Sequence, residues 1–142
     1  MKILALDIGD KWIGSAISDG LGITCRPFKT VTPKELYDFL EKVLPEESIG
    51  KVVVGKPTTF SGGESEQTKK IIQTKENLEK QFPTIHGQEI EWILWDERLS
   101  SKRADSTKTK KILSKDAKIQ SHSIAAAFIL QSYLDSLAFQ KI

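Results

Sequence analysis

Two groups of acidic residues, each at the end of an apolar run, are the part of this sequence best suited to chemistry. Asp7 follows the apolar run Ile3–Leu6, and Asp96 and Glu97 lie at the end of a strand-like segment. A carboxylate at the exit of a buried strand is costly unless it binds a cation or hydrogen-bond donors, although an Asp after a strand also commonly forms a turn with its own backbone. Carboxylates from neighbouring strand ends suit Mg²⁺ or Mn²⁺. A pair of such ions would stabilise the attacking and leaving oxygens of a phosphoryl displacement.

Only one of the two adjacent acids is expected to face Asp7. Successive residues of a strand point to opposite faces of the sheet, so the other acid would hold Arg98 or cap the following helix. Arg98 or Lys11 would then contact the phosphate being cleaved. The residue types alone leave the choice between Asp96 and Glu97 open.

The segment that follows is strongly basic. Residues 98–118 carry eight cations against Asp105 and Asp116, a net charge of +6, while the rest of the chain carries −4. Such a segment can bind a polyanion by neutralising phosphates and releasing counterions, although many basic runs are only solvated surface. The candidate nucleic-acid-binding residues within it are Arg98, Lys102, Arg103, Lys108, Lys110 and Lys111.

Hydrophobic periodicity predicts an α/β fold in which a mixed five-stranded sheet is flanked by helices. Polar groups at the carboxyl ends of strands converge on one crevice in such sheets, and Asp7, the loop after Gly55 and the Asp96–Glu97 pair all lie at such ends. The predicted strands cover 2–7, 12–18, 23–30, 51–55 and 89–96. The predicted helices run from a Thr32 cap to Pro45, over about 68–82, weakly over 100–113, and from a Ser121 cap through an all-round apolar, core-packed start.

Composition favours a single globular domain over residues 1–142. Hydrophobic residues make up 39% of the chain and charged residues 28%. No apolar run reaches the length of a membrane span. The first residues do not have the pattern of a signal peptide. Cys25 is the only cysteine, which excludes an intramolecular disulfide and a multi-cysteine metal cage. We therefore expect a cytoplasmic protein with no membrane association.

Four motifs together resemble the YqgF (RuvX) family. Asp7–Gly14 (DIGDKWIG) is similar to its DxGxKxxG opening, and residues 53–57 (VVGKP), followed by Gly62 and Gly63, resemble its glycine loop. Residues 96–101 (DERLSS) resemble its DERLT/S motif, and residues 123–134 resemble its closing helix. The motifs occur in order across nearly the whole chain.

The resemblance implies a ribonuclease H-like fold and a divalent-metal nuclease. The family is associated with maturation of the 5′ end of pre-16S rRNA and resembles Holliday junction resolvases. By position, Asp7 would be the first metal-binding acid and Glu97 the second, with Asp96 as the substitute if the strand register is the other one. Gly9, Lys11 and Gly14 would form the backbone turn beside the phosphate.

Three positions depart from the family pattern. Trp12 stands where the family usually has Arg, and Lys56, a further candidate phosphate contact, replaces a usually apolar residue. More seriously, His122 stands where the third catalytic Asp would begin the final helix. In the first turn of a helix the dipole favours a neutral imidazole, which can ligate a metal or act as a general base. A preference for Mn²⁺ over Mg²⁺ would follow.

Alternatives to an active rRNA nuclease stay open from the sequence. Asp116, expected in a loop, would be a compensating acid, or His122 would be a capping or surface residue of a nucleic-acid-binding module that has lost catalysis. The substrate would be structured RNA or branched DNA, with ribosomal precursor particles as partners and a monomeric or homodimeric protein. A related ATPase fold also opens with Asp-x-Gly, but it needs two lobes to enclose ATP.

Overall fold

The computed structural model describes residues 1–56, 66–96 and 115–140. The described elements, in chain order, are β1 (Lys2–Ile8), β2 (Ile13–Ser18), β3 (Cys25–Val31), a 3₁₀ turn (Pro33–Glu35), α1 (Leu36–Glu46), β4 (Ile49–Lys56), α2 (Glu66–Gln81), β5 (Thr84–Ile85), β6 (Gln88–Glu89), β7 (Glu91–Asp96) and α3 (Lys115–Gln140). None of these helices is long and apolar enough to cross a membrane.

The main sheet has five strands in the order β3-β2-β1-β4-β7, which confirms the predicted mixed sheet. The first three strands form antiparallel pairs, whereas β4 and β7 run parallel to β1. In the parallel half, Leu6 pairs with Val54, and Gly55 pairs with Trp95. The carboxyl ends of β1, β4 and β7 therefore lie at one edge of the sheet.

Each face of the sheet is covered by a different set of helices. Leu4 and Leu6 of β1 pack in a core with residues of α1 and α2 such as Leu40 and Leu78. Ile3 and Ala5 pack on the opposite face against α3, in a core that includes Leu130 and Tyr133. Since side chains alternate along a strand, Asp7 belongs to the face that α3 covers.

The start of α1 follows its sequence signal closely. The Glu35 carboxylate accepts hydrogen bonds from the backbone N–H and the hydroxyl of Thr32, both at 2.9 Å, and these bonds lower the pKa of Glu35. Pro33–Glu35 forms a 3₁₀ turn that leads into α1. The prediction that Pro45 ends the helix is wrong, because α1 continues to Glu46. Proline so close to the end removes only one helical N–H, and Glu47 still donates to the Val43 carbonyl at 2.9 Å.

The final helix begins earlier than predicted. It starts at Lys115 rather than at a Ser121 cap, so Ser121 lies inside it and Asp116 lies in helix rather than in a loop. No Gly or Pro interrupts residues 115–140, so propagation past a single Ser costs little. Its apolar start is also not wholly in the core, because Ile124 is 40% exposed.

A small hairpin precedes β7 and was not predicted. β5 and β6 have two residues each, which is too short for an alternating pattern to show. His86 and Gly87 form the turn between them with φ angles of 51° and 78°, and positive φ at both central residues is typical of a type I′ hairpin turn. The imidazole of His86 is exposed and lies 3.2 Å from the Pro45 carbonyl oxygen.

Cys25 contacts α3 from the start of β3. Its sulfur lies 3.3 Å from the Ala127 carbonyl oxygen and 3.6 Å from Oε1 of Gln131. Burial, with smaller contributions from the charges of Asp135 and Asp19, raises the pKa of the thiol to about 11. Because the thiolate is the nucleophile, we expect this thiol to react slowly at neutral pH.

We expect alkylation of Cys25 by iodoacetamide at pH 8 to be roughly 100-fold slower in the native protein than in the chain unfolded by guanidinium, which is the control. The reason is that a two-unit rise in the pKa lowers the thiolate fraction by about that factor. The native rate, followed by mass spectrometry, should still increase between pH 9 and pH 10. A native rate that levels off near pH 9 would contradict the burial of the thiol.

Candidate functional site

Asp7 lies at the carboxyl end of the central strand. It is half-buried, and its backbone pairs with Gly14 on β2. On the other side of β1, Leu6 pairs with Val54 of β4, and the next residue, Gly55, pairs with Trp95 of β7. The Asp7 carboxylate therefore lies on the α3 face, beside the edge where three strand ends meet.

Gly14 allows the last helix to approach this point. A Cβ atom added to Gly14 would lie 2.6 Å from the amide nitrogen of Ser123 and still closer to the carbonyl carbon and oxygen of His122. The backbone of α3 at His122–Ser123 thus rests directly on the residue that pairs with Asp7. In this way the fold brings His122, a half-buried residue, to the neighbourhood of the first acid.

A buried polar contact holds the helix in this position. The hydroxyl oxygens of Ser123 and Thr30 lie 2.5 Å apart and join α3 to β3. Ser123 is only 5% exposed, so the contact is shielded from water. Sequence reasoning missed this pair, because nothing in the motif containing Ser123 indicates a partner 93 residues away.

The helix position of His122 corrects one sequence argument. His122 lies seven residues inside α3, which begins at Lys115, and not in the first turn. The field of the helix dipole falls off within that turn, so it does not act on the imidazole as predicted. Asp116 precedes His122 by six residues on the same helix, which places their Cα positions on different sides of the helix axis.

The β1–β2 connection forms a tight backbone turn, as the opening motif predicted. The Gly9 N–H donates to the Trp12 carbonyl at 3.1 Å, and a Cβ on Gly9 would lie 2.8 Å from that oxygen. Lys11 is exposed at the tip of this turn. Gly14 is not part of it: the residue is buried within β2, and its role is the close approach of α3.

Alternation along β7 indicates on which face of the sheet Asp96 lies. Trp92 and Leu94 pack in the core under α1 and α2, whereas Ile93 and Trp95 pack against α3. The indole N–H of Trp95 donates to the Ser132 hydroxyl at 2.7 Å, which fastens β7 to α3. Asp96 continues the row of Trp92 and Leu94, on the face opposite Asp7.

Of the predicted site residues not yet placed, Lys56 lies within the described part of the chain and the others lie outside it. Lys56 is half-buried at the end of β4, where it pairs with Asp96. Within residues 1–56, 66–96 and 115–140, no three His, Cys, Asp or Glu side chains form a group that could hold a metal ion. The predicted residues outside these ranges are Glu97, Arg98, Lys102, Arg103, Lys108, Lys110 and Lys111.

We expect Gly14→Ala to disturb the site through the backbone of α3. The new methyl group would overlap the His122 carbonyl, and overpacking of this kind costs about 1–3 kcal/mol or more. Thermal unfolding should therefore show a lower Tm. The matched control is Gly20→Ala, because no atom lies within 4 Å of a Cβ at Gly20. Equal Tm values for the two variants would contradict the close approach of the helix.

Curated relatives match almost the full length of the chain. A protein of Sulfurihydrogenibium, provisionally named as a pre-16S rRNA nuclease, is 40% identical over 141 residues, covering 97% of this chain and 92% of the relative. A protein of Clostridium tetani with the same name is 38% identical over 149 residues, covering 96% and 98%. These relatives share the whole extent of the chain rather than a single motif.

Two solved structures share the fold. RuvC of Thermus thermophilus, solved with a Holliday junction substrate, superimposes with a TM-score of 0.55 at 11% identity, covering 97% of this chain and 96% of its own. The fowlpox virus Holliday junction resolvase gives a TM-score of 0.53 at 19% identity, covering 96% and 99%. These matches confirm the predicted ribonuclease H-like fold. Residues 1–136 match the profile of the family described as "RuvX: Holliday junction resolvase", and the chain therefore belongs to the RuvX family.

Proposed function

We propose that this protein is a divalent-metal-dependent nuclease that hydrolyses phosphodiester bonds in structured nucleic acid. The observation that carries the proposal is the seating of α3 on Gly14, opposite Asp7. The backbone of His122, which by resemblance stands where the family has its third acid, contacts the residue that pairs with Asp7. Membership of the RuvX family supports the same activity.

The donor groups at this strand edge fit a divalent cation. Asp7 offers carboxylate oxygens and His122 an imidazole nitrogen, and Glu97, the second acid that the family resemblance implies, follows Asp96 directly in the sequence. Mg²⁺ favours sites whose ligands are all oxygen atoms. A site with two carboxylates and one imidazole therefore suits Mn²⁺ better than Mg²⁺. When bound, the metal would polarise the phosphate and lower the pKa of the attacking water.

The cationic side chains around this edge would hold the phosphates. Lys11 is exposed at the tip of the β1–β2 turn, and Lys56 ends β4. The basic segment 98–118 follows β7 directly. Lys11 and Lys56, together with the basic segment that follows β7 in the sequence, would neutralise phosphates of the bound nucleic acid.

Among substrates, we favour the 5′ end of pre-16S rRNA. The provisional names of the full-length relatives support this choice, and a role in ribosome maturation would place the protein in the cytoplasm. A four-way DNA junction is the second candidate, because the family description names that activity. One assay with both substrates decides between them.

Asp7→Asn is expected to reduce metal-dependent cleavage by about 100-fold or more. A bound metal supplies several kcal/mol of transition-state stabilisation, and each 1.4 kcal/mol is a factor of ten in rate. Cleavage of a pre-16S rRNA fragment and of a four-way DNA junction should be followed with Mg²⁺ and with Mn²⁺. The matched control is Asp10→Asn, the same change at an exposed residue of the neighbouring turn, which should cleave normally.

The same assay identifies a protein that has lost catalysis. Metal-independent binding by the wild type without cleavage of either substrate would replace the nuclease with a binding module. Equal rates for Asp7→Asn and Asp10→Asn would remove Asp7 from the site. Cleavage of the RNA fragment but not of the junction is the outcome expected for an rRNA-processing enzyme.

Substitution of His122 tests the ligand set separately. His122→Ala should reduce the rate with both metals, because one donor is lost. His122→Asp should restore cleavage and raise the ratio of the Mg²⁺ rate to the Mn²⁺ rate, because a carboxylate is the harder ligand. A ratio that is the same in the wild type and in His122→Asp would show that residue 122 does not contact the metal.

A further inference from the structure

A groove between β3 and α3 begins beside the proposed catalytic residues. Its volume is about 480 Å³, and the residues that matter here are Phe28, Lys29, Thr30, Gln120, Ser123 and Ile124. Thr30 pairs with Gly14 on β2, and Ser123 follows His122 on α3. One end of the groove is therefore a single residue away from the site described above.

A bulge in the edge strand sets the position of Lys29. Gly14 pairs with Thr30 and Ala16 pairs with Pro27, so Ser15 alone faces two residues, Phe28 and Lys29. The buried hydroxyl of Ser15 provides hydrogen-bond partners for the backbone of the bulge. It donates to the Lys29 carbonyl at 2.6 Å and accepts from the Lys29 N–H at 3.0 Å. Bulges of this kind redirect side chains at sheet edges and next to active sites.

The groove combines a cationic rim with an apolar wall. Lys29 is exposed on its β3 side and is the only charged side chain among the described residues that line it. Ile124, on the α3 side, is 40% exposed although it is a large apolar residue. The charge of Lys29 also helps to lower the pKa of the nearby Glu35 carboxylate, but that carboxylate already accepts two hydrogen bonds from Thr32.

We propose that this groove holds the single-stranded nucleic acid that flanks the cleaved bond. Lys29 neutralises one backbone phosphate, and the side chain of Ile124 packs against a base face. Proteins bind single strands without reading sequence by combining a cationic groove with aromatic side chains on which the bases stack, and the aliphatic Ile124 would here supply the contact with the base face. The proposal deepens the function proposed above and rests on it.

The size and position of the groove agree with this occupant. Its volume lies in the range of pockets that hold small organic molecules, and a nucleotide is of that size. The end at Thr30 and Ser123 adjoins His122, so a strand leaving the site over α3 enters the groove directly.

The test measures binding without cleavage, by fluorescence anisotropy in EDTA. Two labelled RNA stems are compared, one blunt and one with a single-stranded extension. Lys29→Glu reverses the charge at the groove while leaving the backbone bonds to Ser15 intact. Lys80→Glu makes the same change at an exposed position at the far end of α2 and is the matched control.

We expect the extension to increase the affinity of the wild type and of Lys80→Glu. In Lys29→Glu this gain should fall by about tenfold, the value of a charge-assisted contact, and the salt dependence of the gain should weaken by about 0.7 in slope. The blunt stem should bind both variants equally. Ile124→Ser should also reduce the gain, but with an unchanged salt slope, because no charge is lost.

Failure of this proposal can be told apart from failure of the proposed function. An extension that adds no affinity, or equal gains in Lys29→Glu and Lys80→Glu, overturns the groove alone, since the wild type still binds the stem. If the wild type binds neither RNA nor a four-way DNA junction, the proposed function fails and the groove with it.

Discussion

The contact between the backbone of α3 and Gly14 is the constraint on which the site depends. A helix can pass this close to a strand only where the strand residue has no side chain, and here that residue pairs directly with Asp7. The distance between β2, which pairs with the strand of Asp7, and the helix that carries His122 is therefore set by backbone atoms. Atoms of the main chain cannot change rotamer, so this spacing is more rigid than one set by side-chain packing.

Polar contacts keep α3 in its place along the sheet. The hydroxyl pair of Thr30 and Ser123 fixes the helix to β3, and the bond from Trp95 to Ser132 fixes it to β7. Between them lies an apolar core built from β1, β2, β4 and α3. Apolar packing alone would tolerate small shifts of the helix, whereas directional bonds at both edges of the sheet do not. The helix consequently spans the sheet from edge strand to edge strand in one orientation.

The surroundings of the site differ between its two sides. Lys56 lies at the end of β4, and towards β3 lies a groove with the cation Lys29 and the exposed apolar Ile124. A polyanion that crosses the strand ends would thus meet positive charge in both directions. The bulge at Phe28 and Lys29 shows how an edge strand can contribute a functional side chain, because the extra residue leaves the regular ladder.

Local patterns in the sequence were enough to predict most of the elements and the five-stranded mixed sheet. They also marked Asp7, the acidic pair that begins at the last residue of β7 and the capping box at Thr32, since these signals depend on neighbouring residues. Patterns of this kind could not locate the start of α3, because no breaker residue marks it, and they missed the two-residue strands β5 and β6.

Only the tertiary structure decided what depends on distant partners. The contact of Gly14 with His122, the pair of Thr30 and Ser123, and the row of β7 to which Asp96 belongs all join segments far apart in the chain. Gly14 has the same appearance in the sequence whether it serves a turn or a helix contact. Residue type records that a glycine is needed, but the atoms that need the space come from α3, more than 100 residues later, and only folding brings them together.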